Sequence, residues 1–194
     1  MLSNAIRICA VFIFGIAVAG CHSKSDPTKE NFSAAVQNHL DGTDAVCVFT
    51  GAVPFDLPDV QDLPRRRADL LVKVGLLATQ PTSLTVGVRT VPAFRYTLTD
   101  EGKKAYRALT PAPDSRLCGG KAKLVEITWS SSVEKADVGT SVDVKYVGKL
   151  TDRPHWDDEA ILRPLFPELL STTNDQFNNE NILTVTKDGW VVTR

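Results

Sequence analysis

The chain has 194 residues, of which 43% are hydrophobic and 23% are charged, so it is long enough for one large or two small domains with buried cores. Lys and Arg number 22 against 23 for Asp and Glu, giving a formal net charge of −1. A near-neutral chain has no general attraction to polyanions, and its charge therefore argues against a nucleic-acid partner.

Residues 1–20 have the features of a segment that is removed after export. Arg7 is their only charge, and the apolar run that follows begins at Ile8. This run is too short for a transmembrane helix, which needs about 20 apolar residues. Three interpretations stay open at this point: a lipoprotein signal, an ordinary secretory signal, and an uncleaved anchor helix.

The end of the run favours the first of these. Val18-Ala19-Gly20-Cys21 resembles the lipobox of bacterial lipoproteins, in which a signal peptidase cuts just before the cysteine. The resemblance implies that Cys21 is lipidated and anchors the protein to a membrane, with residues 21–25 as a short tether. His22 stands where an Asp commonly retains such proteins at the inner membrane, so the predicted place is the outer membrane, facing the periplasm.

Two further cysteines, Cys47 and Cys118, remain in the mature chain. In an oxidising compartment two such residues most simply form one disulfide. A redox pair usually has the spacing Cys-x-x-Cys, which these residues lack. We therefore predict a structural disulfide, with a redox pair or two unrelated thiols as the alternatives.

The mature chain opens with a predicted helix. Asp26 and Pro27 suit an N-cap and a first helical position, and an apolar stripe then continues to Leu40. Ala45–Thr50 favours a strand that would contain Cys47. The following residues, 54–64, are interrupted by three prolines and are predicted to be an extended loop.

A second helix is predicted to begin at Pro64. Arg65, Arg66 and Arg67 would occupy its first turn, where three cations oppose the helix macrodipole. Such an arrangement suggests another role for them, and we predict a solvated or partner-facing patch. Gly75 is the predicted C-terminal stop.

Residues 64–108 resemble the later part of a winged-helix domain. The phrase Gly75-Leu76-Leu77 would lead into a two-stranded wing, whose second strand runs through Tyr96 and Leu98 to a helix start at Thr99 and Gly102. Winged helices commonly bind DNA through the helix before the wing. A protein lipidated outside the cytoplasm meets no chromosome, so we expect a scaffold, with nucleic-acid binding as a remote alternative.

Residues 118–194 change to a β-rich pattern. Val125, Ile127 and Trp129 alternate with polar residues, a second run around Val142 does the same, and Asp188-Gly189 favours a tight hairpin. We predict an antiparallel sheet with one apolar face packed against the N-terminal helices of residues 26–110. The predicted fold class is α+β, and the disulfide would join the two parts, either as one domain or as two.

The polar cluster of functional interest is Asp152–Glu159. His155 with Asp157 and Glu159 could bind a divalent cation, but acids before Ala160 and Ile161 are also an ordinary helix start, which we favour. Leu165 to Leu170, which includes Phe166, is predicted to be either a core plug or a docking surface.

Catalytic motifs are absent from the sequence: it has no Gly-x-Ser-x-Gly elbow, no phosphate-binding glycine loop and no HExxH. We therefore expect no catalytic residues, metal or cofactor. The predicted function is a non-enzymatic binding or envelope-assembly module. Its protein partner would contact an exposed sheet edge, the arginine turn of Arg65, Arg66 and Arg67, or the segment from Leu165 to Leu170, which includes Phe166. The alternative is a periplasmic hydrolase that acts on cell-wall or saccharide material through the acidic cluster.

Overall fold

A computed structural model describes residues 23–194, which form a mixed α+β fold with three antiparallel sheets among them. The predicted lipobox and Cys21 lie outside this range. The helices are α1 Lys29–Gly42, α2 Leu63–Lys73, α3 Asp100–Ala105 and α4 Glu159–Leu162, with one 3₁₀ turn at Ala112–Asp114. The strands are β1 Val46–Phe49, β2 Phe55–Pro58, β3 Leu77–Val86, β4 Arg89–Leu98, β5 Tyr106–Arg107, β6 Arg116–Gly119, β7 Lys121–Ser130, β8 Ser141–Asp152, β9 Gln176–Thr186 and β10 Gly189–Val192.

Helix α1 begins two residues later than predicted, because Thr28 rather than Asp26 is its N-cap. The Thr28 hydroxyl accepts the backbone N–H of Asn31 at 3.2 Å. The Asp26 carboxylate instead accepts the backbone N–H of Ser23 at 2.8 Å. The apolar stripe of the helix is buried, as its spacing predicts, at Phe32, Ala35, Val36 and Leu40.

The largest sheet has the order β10-β9-β8-β7, and α1 packs across its apolar face. The rings of Phe32 and Trp190 meet edge to face, with centroids 4.9 Å apart. The strands contribute alternate residues to the same core, among them Val142, Val144, Tyr146, Leu183 and Val185. An antiparallel sheet was predicted for residues 118–194, and the structure has one from Lys121 to Val192, whereas Cys118 and Gly119 belong to β6 of another sheet.

The alternation of Val125, Ile127 and Trp129 predicts that all three lie on one face of β7, and this prediction is wrong. Its register against β8 shifts between Leu124 and Glu126 and again between Ile127 and Trp129. Each shift moves the following residues to the other face, because side chains alternate along a strand. Ile127 is consequently buried, whereas Val125 and Trp129 are about half exposed.

A second sheet has the order β2-β4-β3 and contains a strand that the sequence did not predict. Residues 55–58, expected to be loop, pair with β4 in spite of Pro58, because β2 lies at the sheet edge. Asp56 and Arg95 stand opposite each other and form two hydrogen bonds of 2.8 Å. The hydrogen bond from Arg95 lowers the pKa of the Asp56 carboxyl, and the charge of Arg95 lowers it further.

The third sheet, β1-β6-β5, connects the two halves of the chain. Cys47 and Cys118 lie directly opposite each other on β1 and β6 and form a disulfide, the pairing that the sequence predicts. Gly120, with φ +77°, turns the chain out of β6 and into β7 of the large sheet. Buried residues from both halves accordingly form one hydrophobic cluster.

Candidate functional site

The first arginine of α2 is a buried structural group and does not belong to an exposed patch. Arg65 is only 8% exposed, and its guanidinium forms ion pairs of 3.0 Å with Asp59 and with Asp69. The same guanidinium lies 3.9 Å from the centre of the Phe94 ring. The prediction of a partner-facing role for Arg65 is contradicted by this burial.

Asp69 extends this network to the β3–β4 hairpin. The Tyr96 hydroxyl donates to the Asp69 carboxylate at 2.6 Å, and Tyr96 is fully buried. Burial, followed by the hydrogen bond to Asp69, raises the pKa of Tyr96 far above its usual value. Tyr96 therefore stays neutral and serves as a donor, which ties α2 to β4.

The other two arginines point to different surroundings. The Arg67 side chain donates to the Leu165 carbonyl at 2.7 Å and lies 5.3 Å from the centre of the Phe166 ring. Arg66 is exposed. The three arginines thus do not form one surface, because a helical turn directs neighbouring side chains about 100° apart.

Residues 165–170 are a core plug, the first of the two alternatives that the sequence left open. Phe166 is fully buried and Leu169 is 3% exposed, whereas Leu165 is half-buried. The Phe166 side chain is therefore not available to a partner, contrary to the prediction that it contacts one. The hydrogen bond from Arg67 to the Leu165 carbonyl connects this segment to α2.

The acidic cluster forms a helix start, as predicted. The Asp158 carboxylate accepts the backbone N–H of Ile161 at 3.2 Å and caps α4. Glu159 accepts the hydroxyl of Thr172 at 3.0 Å and forms an ion pair with Arg163 at 3.2 Å. These acids are thereby engaged in local contacts of the fold.

Asp157 is the one buried acid of this cluster. Its side chain is 2% exposed and forms an ion pair of 2.7 Å with Arg153. Burial raises the pKa of the Asp157 carboxyl, although the charge of Arg153 opposes the shift. A side chain so enclosed does not reach a substrate in solution.

His155 lies near a different acid and is largely exposed. It is 72% exposed and lies 4.0 Å from Glu101, a residue of α3. Within residues 23–194, no group of three or more His, Cys, Asp or Glu side chains is arranged to hold a metal ion. The acids of the Asp152–Glu159 cluster therefore do not converge on a common point with His155 in the described part of the chain.

Between α2 and β2 lies an apolar groove of about 360 Å³, which the sequence did not predict. One wall is the N-terminal half of α2, and the other is formed by the end of β1 and by β2. The groove is lined by Phe49, Thr50, Gly51, Phe55, Leu57, Leu63, Pro64, Arg67, Ala68, Leu71 and Pro113. It was missed because its second wall includes β2, which the prolines of residues 54–64 made to look like loop.

The rim of the groove exposes apolar side chains. Leu63 is 51% exposed and Phe49 is 42% exposed, and the Phe49 ring is held by the Arg116 guanidinium 4.4 Å from its centre. Inside the groove, the Thr50 hydroxyl is buried and has no hydrogen-bond partner within the described part of the chain. The groove thus combines an open apolar rim with two polar side chains, those of Thr50 and Arg67.

In the described part of the chain, no helix is both long enough and apolar enough to cross a membrane. Comparisons of the chain with protein-family models, with curated proteins and with solved structures find no match. No family is therefore assigned to the chain.

Proposed function

We propose that this protein is a lipid-anchored, non-enzymatic binding module of the bacterial cell envelope. The anchor would be an acylated Cys21, in a chain cut after Gly20, at the outer membrane facing the periplasm. The observation that carries the binding role is the apolar groove between α2 and β2, with its exposed rim. We propose that it receives an apolar segment of an envelope protein.

The size of the groove supports a protein partner over a small ligand. Its volume of 360 Å³ is near the lower end of the usual range for small-molecule pockets. Leu63 and Phe49 stand at the rim, each about half exposed. A ligand small enough to sit inside would leave them in water, whereas a protein segment would cover both.

The side chains of the groove support a non-enzymatic role. General acid–base catalysis needs a group that exchanges protons near neutral pH. Among the described residues that line the groove, the polar side chains are those of Thr50 and Arg67. An arginine stays protonated in proteins, and the threonine has no described base beside it.

The hydrolase alternative receives no comparable support. Its proposed centre is divided between exposed His155, buried Asp157 and Glu159, which is bonded to Thr172 and Arg163. A pair of carboxyls that flank a glycosidic bond must both reach the substrate. We therefore do not propose a hydrolytic activity.

We further propose that residues 64–108 are a winged-helix-like unit used as a scaffold. The arrangement of α2, the β3–β4 hairpin and α3 supports this resemblance. The burial of Arg65 beside Asp59 and Asp69 removes a cation from the helix that would read DNA. Nucleic-acid binding accordingly has less support than a scaffold role.

A photocrosslinking experiment tests the groove. We expect a photoreactive amino acid at Leu63, incorporated in intact cells, to crosslink to a discrete envelope protein. The same amino acid at Val125 is the matched control, because the two side chains are 51% and 50% exposed but only Leu63 lines the groove. The substitution Phe49→Asp should abolish the Leu63 crosslink, since it places a charge at the apolar rim.

Equal crosslinking from Leu63 and Val125, or a Leu63 product that survives Phe49→Asp, would contradict the groove as the binding surface.

The proposed lipid anchor has a separate test. Metabolic labelling with palmitate should give a labelled protein, and Cys21→Ser should abolish both the label and the recovery in the membrane fraction.

A further inference from the structure

The segment predicted to be a short tether is docked on the body from Ser23 onward. The indole N–H of Trp190 donates to the backbone carbonyls of Ser25 and Asp26, each at 3.1 Å. The side-chain amide of Asn31 donates to the carbonyls of Ser23 and Asp26, each at 2.9 Å. These bonds fix the direction in which the chain leaves the body.

The docked segment lies against the turn between β9 and β10. A Cβ added at Gly189 would come within 3.2 Å of the Lys24 carbonyl oxygen, so the two backbones are in close contact. Ser23, Lys24 and Ser25 share a shallow depression of about 260 Å³ with Val138 and Lys187, among other residues. The chain therefore enters the body between the β9–β10 turn and the loop of residues 131–140.

Covalent geometry limits how far an anchor at Cys21 can lie from this point. Two residues of extended chain span at most about 7 Å. Acyl chains on Cys21 would place that residue at the bilayer interface. This step rests on the lipidation proposed above.

From these constraints we propose that the face around this depression is the membrane-facing surface of the protein. Its occupant is the phospholipid bilayer that carries the anchor. The face consists of Lys24, the loop of residues 131–140 and the turn at Lys187 and Asp188. Val138, at 72% exposure, is its most exposed large apolar side chain among the described residues.

The charges of this face do not by themselves attract an anionic membrane. Lysines and acids balance, and one pair, Lys135 and Asp137, lies 3.5 Å apart. The anchor instead supplies the attraction, because covalent attachment gives the face a high effective concentration at the bilayer. The amphipathic lysines can then extend their amines to the headgroups while Val138 contacts the interface.

A fluorescence experiment on the anchored protein tests this orientation. Mature lipoprotein with Val138→Cys is purified from membranes, labelled with an environment-sensitive fluorophore and reconstituted in vesicles of phosphatidylethanolamine and phosphatidylglycerol. The disulfide of Cys47 and Cys118 and the acylated Cys21 do not react with the label. Val88→Cys is the matched control, because Val88 is also a valine, at the tip of the β3–β4 hairpin, and is 100% exposed.

We expect the fluorophore at position 138 to be quenched several-fold less by aqueous iodide than the one at position 88. A nitroxide carried on the lipid headgroup should have the opposite effect, quenching position 138 the more strongly. Equal quenching at the two sites, or stronger protection of position 88, would overturn the proposal.

Two further measurements separate the possible failures. Flotation of the vesicles reports the anchor alone, so a protein that does not float contradicts the proposed lipidation rather than the orientation. Trp190→Phe keeps an aromatic ring against Phe32 but removes the indole donor to Ser25 and Asp26. Trp190→Phe should leave flotation unchanged and reduce the difference in quenching between positions 138 and 88. If the variant retains its fold and the difference in quenching is undiminished, the docked segment does not set the orientation.

Discussion

Arg65 is buried, although its position in the sequence predicted an exposed side chain. A cation in the first turn of a helix is disfavoured by the macrodipole, yet Arg65 lies there almost fully buried. Two carboxylates, Asp59 and Asp69, and the face of Phe94 compensate its charge. These contacts oppose the unfavourable dipole term, which amounts to tenths of a kcal/mol for one exposed charge.

We predict that Arg65→Ala lowers the free energy of unfolding by about 1.5–3 kcal/mol, as expected for the loss of charged hydrogen bonds. The neighbouring change Arg66→Ala is the control and should stay within about 0.5 kcal/mol, because Arg66 is exposed. Equilibrium unfolding in urea measures both. Equal effects of the two changes would show that the network around Arg65 contributes little to stability.

At the scale of elements, the two sequence motifs around Gly75 and Thr99 meet in a tertiary contact. The Thr99 hydroxyl accepts the backbone N–H of Gly102 at 2.9 Å and donates to the Gly75 carbonyl at 2.7 Å. Gly102 packs on the carbonyl of Leu76, against which a Cβ would overlap. The segments at Gly75–Leu77 and Thr99–Gly102 therefore determine how the start of α3 packs against the residues that follow α2.

We predict that Gly102→Ala destabilises the protein by about 1–3 kcal/mol, because the backbone of Leu76 must move to make room. Gly42→Ala, at the end of α1, is the control. A Cβ at Gly42 meets nothing within 4 Å, so this change should be neutral or slightly stabilising. Thermal unfolding of both variants checks the difference, and a neutral Gly102→Ala would contradict the close approach.

Strand β7 shows where periodicity stops being informative for an element. The alternation of Val125, Ile127 and Trp129 correctly indicated a strand, since this pattern is local. The two register shifts then reversed the faces, and these depend on pairing with β8, a strand distant in the sequence. Element type was thus predictable here, whereas side-chain direction was not.

For the whole molecule, the disulfide joins strands 71 residues apart in the sequence, within one continuous core. It pairs β1 with β6, and β6 continues through Gly120 into the large sheet on which α1 packs. The bond therefore connects regions that the hydrophobic core already holds together, and its stabilisation comes mainly from restricting the unfolded chain.

We predict that replacing both Cys47 and Cys118 with Ala lowers the free energy of unfolding by roughly 4 kcal/mol, the chain-entropy value for a loop of 71 residues. Urea unfolding of the mature protein measures this loss. Dithiothreitol should destabilise the wild type by a similar amount and leave the double variant unchanged. A loss of less than about 0.5 kcal/mol would contradict the prediction, because changes of that size are typical of neutral substitutions.

The sequence by itself determined the mixed helix-and-sheet class, the amphipathic stripe of α1, the pairing of the two cysteines and the start of α4. Each of these follows from local spacing, capping chemistry or the small number of possible partners. The groove, the burial of Arg65 and Phe166, and the docking of the segment from Ser23 to Thr28 were decided only by the tertiary structure. Burial depends on which distant segments cover a side chain, and no local pattern contains that information.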